Sequence, residues 1–371
     1  MTPRIGIPGV PYPVFARRRR WMDFELGQTY SGYEFLQLVR NSRNAQEYRV
    51  RNVVAQREET LKVLPSAAEG NRDAADAFLR EARILARVSH PHIVTFYSAQ
   101  PIDGRMVMTT ECDGFEPLAK RLASGPMPWR EAVDAVIQLL SALACLHDSS
   151  VVHLDITPES VVFRGNAWKL VNFEKARVVN GVPLNGNGAV SGNVKYISPE
   201  QVKGTALDRR SDIYSLGAVF YEMLCGRVPF NSASQFELML AHVSTIPEPP
   251  SRWVEGLPAA LDNVVLRALS KEPADRPDAL GFAYELTEIA GTAAETEASA
   301  PVEAVHEAVA IAAEPEAMPV VVEAVAAAVI EDVHETHVVE VGPEAVAEAA
   351  TETATVVEAE PEAVAHADVV A

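Results

Sequence analysis

Four short segments decide how this chain folds: HLDITPES at residues 153–160, NFE at 172–174, ISPEQ at 197–201 and SDIYSLG at 211–217. The first segment places a histidine, an aspartate, a threonine and a serine within one short stretch. These side chains can move protons or bind phosphate and metal ions. The chemistry of the protein is therefore expected around residues 153–160.

A hairpin and a long helix are predicted on either side of this segment. The apolar runs Val161–Phe163 and Trp168–Val171 are separated by Gly165-Asn166, a favoured turn pair, which indicates two paired strands. Upstream, Trp129–His147 has the spacing of an amphipathic helix. Its predicted buried stripe consists of Val133, Val136, Ile137, Leu140 and Leu143.

Strands come first along the chain and helices later. The predicted strands are Tyr33–Val39, Glu59–Leu64, Ile93–Tyr97 and Met106–Thr110. A helix is predicted over Asp73–Val88, with Phe78, Glu81, Leu85 and Val88 on one face. From Ser211 to about Ala290 the pattern is mostly helical. This order predicts an α+β fold with two lobes.

Composition excludes several classes of protein. A hydrophobic content of 48% is too high for a wholly disordered chain. Three cysteines without a CxxC pair exclude a disulfide scaffold and a cysteine zinc site, and they favour a reducing, cytoplasmic location. The longest apolar run, Met318–Ile330, contains Glu323 and is too short for a membrane span. Arg17–Arg20 lack a following apolar region, so no signal peptide is predicted.

Both ends of the chain differ from its centre. Residues 291–371 hold 18 of the 51 acidic residues and none of the 32 Lys and Arg, so residues 1–290 are nearly neutral, with 33 acidic and 32 basic residues. No basic nucleic-acid footprint exists. We predict an irregular basic leader at 1–32, a folded domain at 33–288 and an Ala/Glu/Val-rich disordered tail at 289–371. Translation starting at Met22 instead of Met1 would remove most of the leader.

Together with Lys62 and Glu81 upstream, the four segments resemble the eukaryotic-like serine/threonine protein kinases, most closely the bacterial ones. The resemblance covers about Tyr33 to Glu288. Its most specific parts are residues 199–230 and KEPADRP at 271–277. It implies the bilobal protein kinase fold, with a small β-rich N-lobe and a larger helical C-lobe.

The resemblance implies structural roles that this sequence can fill. Lys62 would pair with Glu81, and Glu200 would form a buried ion pair with Arg276. Asp212 would hold the backbone around His153, and Phe173 would join His153 in an apolar column between the lobes. A bound nucleotide would contact Lys62 and Glu81, Thr109 beside the adenine, and the hinge backbone from Thr110 to Cys112.

The loop that would cover the phosphates departs from the family. Aligned without gaps, the family's glycines fall near Arg40, Ser42 and Arg43 or Ala45, and residues 39–47 contain no glycine. Every position there carries a Cβ, which keeps the backbone amides away from phosphates. Glu47 replaces the apolar residue that would lie over the adenine, and Thr60 replaces a small residue.

The positions that would hold Mg²⁺ and neutralise the phosphate also differ. Asn172 replaces the metal-binding aspartate, and Ser160 replaces the metal-binding asparagine of the catalytic loop. Thr157 replaces the loop's lysine, and Leu154 replaces an arginine that would anchor a phosphorylated activation segment. Asp155, the proton-accepting position, is retained. The activation segment, Lys175–Tyr196, has only two residues with hydroxyl groups, Ser191 and Tyr196.

Two functions follow from this pattern. The first is a pseudokinase, a regulatory or scaffolding module that binds other proteins such as kinases or signalling components. It would require no cofactor and no Mg²⁺ site, and it would bind ATP weakly or without metal. The alternative is an active serine/threonine kinase with an atypical site, for which Glu174 is the one local carboxylate able to substitute for Asn172.

Overall fold

The computed structural model describes residues 24–41, 45–64, 72–112, 114–179, 184–185 and 193–298. The rest of the predicted leader, the predicted disordered tail beyond residue 298, and Ser191 of the predicted activation segment lie outside these ranges. Within them, the order of elements is that of an α+β chain with a sheet first and helices afterwards. The predicted fold class, a bilobal protein kinase fold, is confirmed.

The N-terminal lobe is one antiparallel sheet with a single helix. The elements are β1 (Thr29–Tyr30), β2 (Tyr33–Asn41), β3 (Gln46–Asn52), β4 (Arg57–Val63), α1 (Arg72–Leu85), β5 (Phe96–Ile102) and β6 (Arg105–Glu111). The strand order in the sheet is β1-β2-β3-β4-β6-β5. Alternate residues of the strands, such as Phe35, Val50 and Leu61, are fully buried in a small core. This alternation is what a half-buried antiparallel sheet requires.

The predicted irregular leader ends earlier than residue 32. Thr29 and Tyr30 pair with Glu34 and Tyr33 as strand β1. The ring of Phe24 stacks on that of Phe35 at 4.4 Å between centroids and is only 7% exposed. An aromatic ring gains enough by burial to hold this short segment on the sheet. The predicted boundary at residue 32 is therefore wrong for residues 24–32.

Helix α1 starts close to its predicted position and ends three residues earlier than predicted. The amide of Arg87 donates to the carbonyl of Ile84 at 3.0 Å, a bond to the third residue back that tightens and ends the helix. Phe78, Glu81 and Leu85 are buried on one face, as predicted. Val88 lies beyond the helix and is only partly buried.

The strand predicted at Ile93–Tyr97 begins later, at Phe96, and runs to Ile102. Ile93 instead bridges to Leu170, and Val94 donates its amide to the Leu170 carbonyl at 3.0 Å. Ile93 is 1% exposed and packs in the core of the helical lobe. Burial of Ile93 in the helical lobe is favoured over its pairing with the N-lobe sheet.

The helical lobe contains the predicted hairpin and long helix. Its elements are β7 (Glu116–Pro117), α2 (Leu118–Leu122), α3 (Trp129–Asp148), β8 (Val151–Val152), β9 (Val161–Arg164), β10 (Ala167–Leu170), β11 (Arg177–Val178), β12 (Leu184–Asn185), α4 (Pro199–Lys203), β13 (Ala206–Leu207), α5 (Arg209–Cys225), α6 (Gln235–Ser244), α7 (Ala259–Ala268) and α8 (Ala279–Ala298). Strands β9 and β10 pair antiparallel around Gly165 and Asn166. The predicted stripe of α3 is buried except at Ile137, which is partly buried.

Helix α5 runs through the centre of this lobe and is buried almost all round. A Cβ placed on Gly217 would lie 2.9 Å from the Cβ of Ala268, so α5 and α7 approach each other too closely for any side chain there. The burial of α5 fixes the position of Asp212 near its N-terminus, beneath the segment predicted to carry the chemistry.

The predicted domain boundary at residue 288 lies inside helix α8, which continues to Ala298. Ile289 and Ala290 pack against the main core, and the Arg130 guanidinium donates to the Ala290 carbonyl at 3.3 Å. Ala and Glu are strong helix formers, so Gly291 alone, at a cost of about 1 kcal/mol, does not end the helix. The predicted disordered tail therefore does not begin at residue 289.

Among the described residues, every helix is either too short or too polar to cross a bilayer.

Candidate functional site

An ion pair joins the sheet to helix α1. The Lys62 Nζ on β4 donates to the Glu81 Oε2 at 2.7 Å, and both side chains are buried. Burial raises the pKa of Glu81 against the opposing charge and hydrogen bond of Lys62, and the carboxylates of Glu174 and Glu47 raise it further. The Glu174 Oε2 lies 4.0 Å from the Lys62 Nζ. The pair implied by the resemblance is thus present, with additional negative charge near it.

Strands β2 and β3 flank the substituted phosphate loop. Arg40 pairs with Glu47 and Asn41 with Gln46 at the adjoining ends of these strands. Ser42 and Arg43 lie outside the described ranges. Glu47 is directly opposite Lys62 across β3 and β4, so the two side chains share a face of the sheet. A carboxylate therefore occupies the position predicted to cover the adenine.

The predicted adenine-side residues lie on β6 and the segment after it. Thr109 is fully buried, and its hydroxyl lies 3.0 Å from that of Ser98. Thr110 pairs with Thr60 of β4, and Cys112 follows as a partly buried free thiol. Between them, the Glu111 carboxylate accepts a hydrogen bond from the Lys169 Nζ at 2.6 Å. Thr110 lies opposite Thr60, on the face of the sheet that carries Lys62, whereas Thr109 lies opposite Leu61.

Asp212 of α5 holds the backbone of the central loop. Its Oδ2 accepts from the amide of His153 at 2.9 Å, and its Oδ1 accepts from the amide of Leu154 at 2.8 Å. The His147 Nε2 lies 3.0 Å from the same carboxylate. Leu154 has a positive φ of 63°, an uncommon conformation for leucine that these contacts hold in place.

His153 and Phe173 form the buried column that the resemblance implies. Their rings meet edge to face at 4.7 Å, and both are fully buried. Burial lowers the pKa of His153, so the imidazole is neutral. One tautomer satisfies both nitrogens: Nε2 donates to the Val171 carbonyl at 3.1 Å, and Nδ1 accepts from the amide of Asp155 at 3.3 Å.

The retained aspartate has a partner that the sequence analysis missed. The Lys175 Nζ donates to the Asp155 Oδ1 at 2.9 Å. These side chains are 27% and 15% exposed, respectively. The only sequence signal is a lysine directly after NFE, and nothing local in the pattern identifies which carboxylate it faces. The Lys175 ammonium therefore places a positive charge next to the Asp155 carboxylate.

The Ser160 side chain bonds to the backbone of Thr157 within the loop. The Ser160 Oγ accepts from the Thr157 amide at 2.8 Å and donates to the Thr157 carbonyl at 3.1 Å. Both residues are buried. The hydroxyl of Ser160 closes a turn of its own loop, so its hydrogen-bonding capacity is largely used within the chain.

Asn172 precedes the short 3₁₀ turn Phe173–Lys175 in a left-handed conformation, with φ 64° and ψ 67°. Asparagine tolerates this region better than most residues. Its Oδ1 is buried and has no hydrogen-bond partner among the described residues. A buried amide oxygen without a partner is costly, so Asn172 departs from the usual satisfaction of buried polar groups.

A buried ion pair joins helix α4 to the segment between helices α7 and α8. Arg276 contacts Glu200 through two bonds, Nη1 to Oε1 at 2.7 Å and Nη2 to Oε2 at 2.9 Å. The Ser211 hydroxyl also donates to Glu200 at 2.7 Å. Burial alone would raise the pKa of Glu200, but Arg276 and Ser211 more than offset it and the pKa is lowered. This bidentate geometry is the strong form of an ion pair.

Comparison with known proteins agrees with the geometry. A family model described as protein kinase domain matches residues 34–284. The serine/threonine-protein kinase PrkC of Bacillus subtilis is 30% identical over 255 residues, which are 68% of this chain and 39% of that protein. PknB of Mycobacterium leprae is 34% identical over 235 residues, covering 61% and 38%, respectively.

A third relative, the serine/threonine-protein kinase pkn3 of Myxococcus xanthus, is 33% identical over 253 residues, covering 64% of this chain and 46% of that protein. The chain thus spans less than half the length of these curated relatives. The match covers both lobes, including the Lys62–Glu81 pair, the loop around Asp155 and the Glu200–Arg276 pair. The chain therefore belongs to the protein kinase family, with bacterial serine/threonine kinases among its relatives.

Proposed function

We propose that this chain is a pseudokinase: it keeps the kinase fold, does not transfer phosphate, and acts as a regulatory or scaffolding module for other proteins, such as kinases or signalling components. The observation that carries the proposal is the chemistry at the two positions where the family holds Mg²⁺. One is an amide, Asn172, and the other is a hydroxyl, Ser160.

Neither residue fits Mg²⁺ well. Mg²⁺ prefers carboxylate and phosphate oxygens in near-octahedral geometry, and a neutral amide oxygen compensates none of its charge. The Ser160 hydroxyl is already bonded within its loop. Throughout the described ranges, no group of three or more His, Cys, Asp or Glu side chains is arranged to hold a metal ion.

The groups that would neutralise a transferred phosphate are also depleted. Thr157 is a buried, uncharged residue at the position of the loop's lysine. Loss of one such stabilising group commonly reduces the rate by about 10²–10³-fold. Losses within one catalytic unit are not additive, but here several members of the unit are changed together. Asp155 and Lys62 alone do not supply the missing charge compensation.

Nucleotide binding without metal is compatible with what remains. Lys62 is held in place by Glu81 and offers an ammonium group. Thr109 and the Thr110–Cys112 backbone would contact the adenine, as the family resemblance implies. Glu47 opposes this binding because its carboxylate shares the face of Lys62. We therefore propose that ATP binds weakly and that the protein requires no cofactor.

Thermal unfolding of the full chain tests the metal part of this proposal. We expect ATP with EDTA and ATP with Mg²⁺ to raise the unfolding midpoint by the same amount. A ligand at 100 times its Kd would stabilise by about 2.7 kcal/mol, a shift of several degrees. A shift of that size with ATP and Mg²⁺ together, but not with ATP in EDTA or with Mg²⁺ alone, would contradict the proposal.

A second candidate, an active serine/threonine kinase with an atypical site, has specific support. Asp155 is retained, the Lys62–Glu81 pair is formed, and the relatives are serine/threonine kinases. For this function Glu174, 4.0 Å from the Lys62 Nζ, would have to substitute for the aspartate missing at Asn172. Mg²⁺-dependent binding that is lost in Glu174→Gln would favour this candidate over the first.

A further inference from the structure

Lys175 places a positive charge beside the retained aspartate of the central loop. It ends the 3₁₀ turn that follows Asn172, and its Nζ donates to the Asp155 Oδ1 at 2.9 Å. Its side chain is 27% exposed, so solvent reaches it. Lysine is a flexible point charge on a long stem, and its ammonium can exchange one anionic partner for another without movement of the backbone.

The segment 172–175 contributes to both charged groups of the site. Glu174 extends toward Lys62, and the next residue, Lys175, contacts Asp155. Lys62 is paired with Glu81 on the α1 side. Two ammonium groups thus lie beside carboxylates here, that of Lys62 on the sheet and that of Lys175 at the end of the 3₁₀ turn.

We propose that Lys175 binds the phosphates of a nucleotide in this chain and supplies part of the positive charge that a divalent metal ion supplies elsewhere. The inference rests on the metal-independent nucleotide binding proposed above and assigns a residue to it. Thr157 contributes no charge, and Lys62 and Lys175 are the cations that contact Glu81, Glu174 and Asp155. Lys169 and Arg40 are instead paired with Glu111 and Glu47, respectively. Asp155 competes with the phosphates for Lys175.

Two physical consequences follow from this assignment. Loss of Lys175 should weaken binding in proportion to the number of phosphates, because the ammonium contacts phosphate and not the base. Loss of the Asp155 charge should strengthen binding, because it frees the ammonium and removes repulsion of the phosphates. If Lys175 only stabilised the loop, its loss would not weaken binding in proportion to the number of phosphates. Loss of the Asp155 charge would then not increase the affinity for ATP.

Calorimetric titration of the full chain with ATP, ADP and adenosine in EDTA tests the inference. We expect Lys175→Met to weaken ATP binding about tenfold, the scale of one lost charge-assisted hydrogen bond, with a smaller loss for ADP and none for adenosine. Lys175→Arg should retain most of the affinity, and Asp155→Asn should bind ATP more tightly than the wild type. Lys120→Met is the matched control, since the Lys120 ammonium pairs with Glu116 on an exposed helix turn.

Each other outcome is informative. Equal affinity of wild type and Lys175→Met for ATP, or an equal loss for ATP and adenosine, would overturn the inference and leave the pseudokinase proposal intact. Absence of ATP binding by the wild type under all conditions would also overturn it, without making the protein an enzyme. Phosphate transfer by the wild type would instead overturn the proposed function.

Discussion

Arg276→Met is expected to lower the free energy of unfolding by about 3–5 kcal/mol, because removing one partner of a buried ion pair leaves the other charge buried and uncompensated. Glu200 would lose both guanidinium bonds, and the carbonyls of Ser270 and Arg210 would lose their donor. In a domain of this size the unfolding midpoint should fall by roughly 10 °C in a calorimetric scan.

An exposed ion pair in the same lobe provides the control. Arg267 pairs with Glu285, and both side chains are substantially exposed, so Arg267→Met should change stability by less than about 1 kcal/mol. The double variant Glu200→Gln with Arg276→Met should be less destabilised than Arg276→Met alone, because no unpaired charge remains. Equal midpoints for Arg276→Met and Arg267→Met would show that the Glu200–Arg276 pair does not hold the lobe together.

The double variant Asn172→Asp with Ser160→Asn should gain Mg²⁺-dependent ATP affinity of at least about tenfold, because a carboxylate then joins an amide oxygen as metal ligands. It should still transfer no phosphate to itself or to a basic test protein. Residues 39–47 would still lack glycine, and Thr157 would still leave the transferring group without its lysine. Titration with and without EDTA and a radiolabel assay measure the two effects separately.

Asn166→Asp is the control for this variant, since it adds the same charge in the exposed turn between β9 and β10. It should not change the Mg²⁺ dependence of ATP binding. Robust phosphate transfer by the double variant would show that the two metal positions alone account for the lost activity. That result would contradict the importance assigned to the glycine-free loop and to Thr157.

Sequence patterns predicted the elements whose periodicity is strong and whose burial is simple. The α3 helix and the β9–β10 hairpin lie where alternation and helical spacing place them. The Lys62–Glu81 and Glu200–Arg276 pairs could be named only through the family resemblance, since nothing local joins residues so far apart in the chain. Their geometry follows from the fold that brings them together.

Other features depend on tertiary contacts that no local pattern records. Ile93 has strand propensity but is buried in the helical lobe, so β5 begins at Phe96. Helix α8 passes Gly291 because Ile289 and Ala290 pack on the core before it. The Lys175–Asp155 contact joins two loops and was not predictable from either one.

Phosphate transfer by the full wild-type chain is the most direct measurement of the central claim. Purified protein is incubated with radiolabelled ATP and Mg²⁺, alone and with a basic test protein, beside Asp155→Ala and Lys62→Ala. We expect no incorporation above background in any of the three, because the metal positions, the glycine loop and the loop lysine are changed together. Incorporation by the wild type that disappears in both variants would contradict the claim and establish an active kinase.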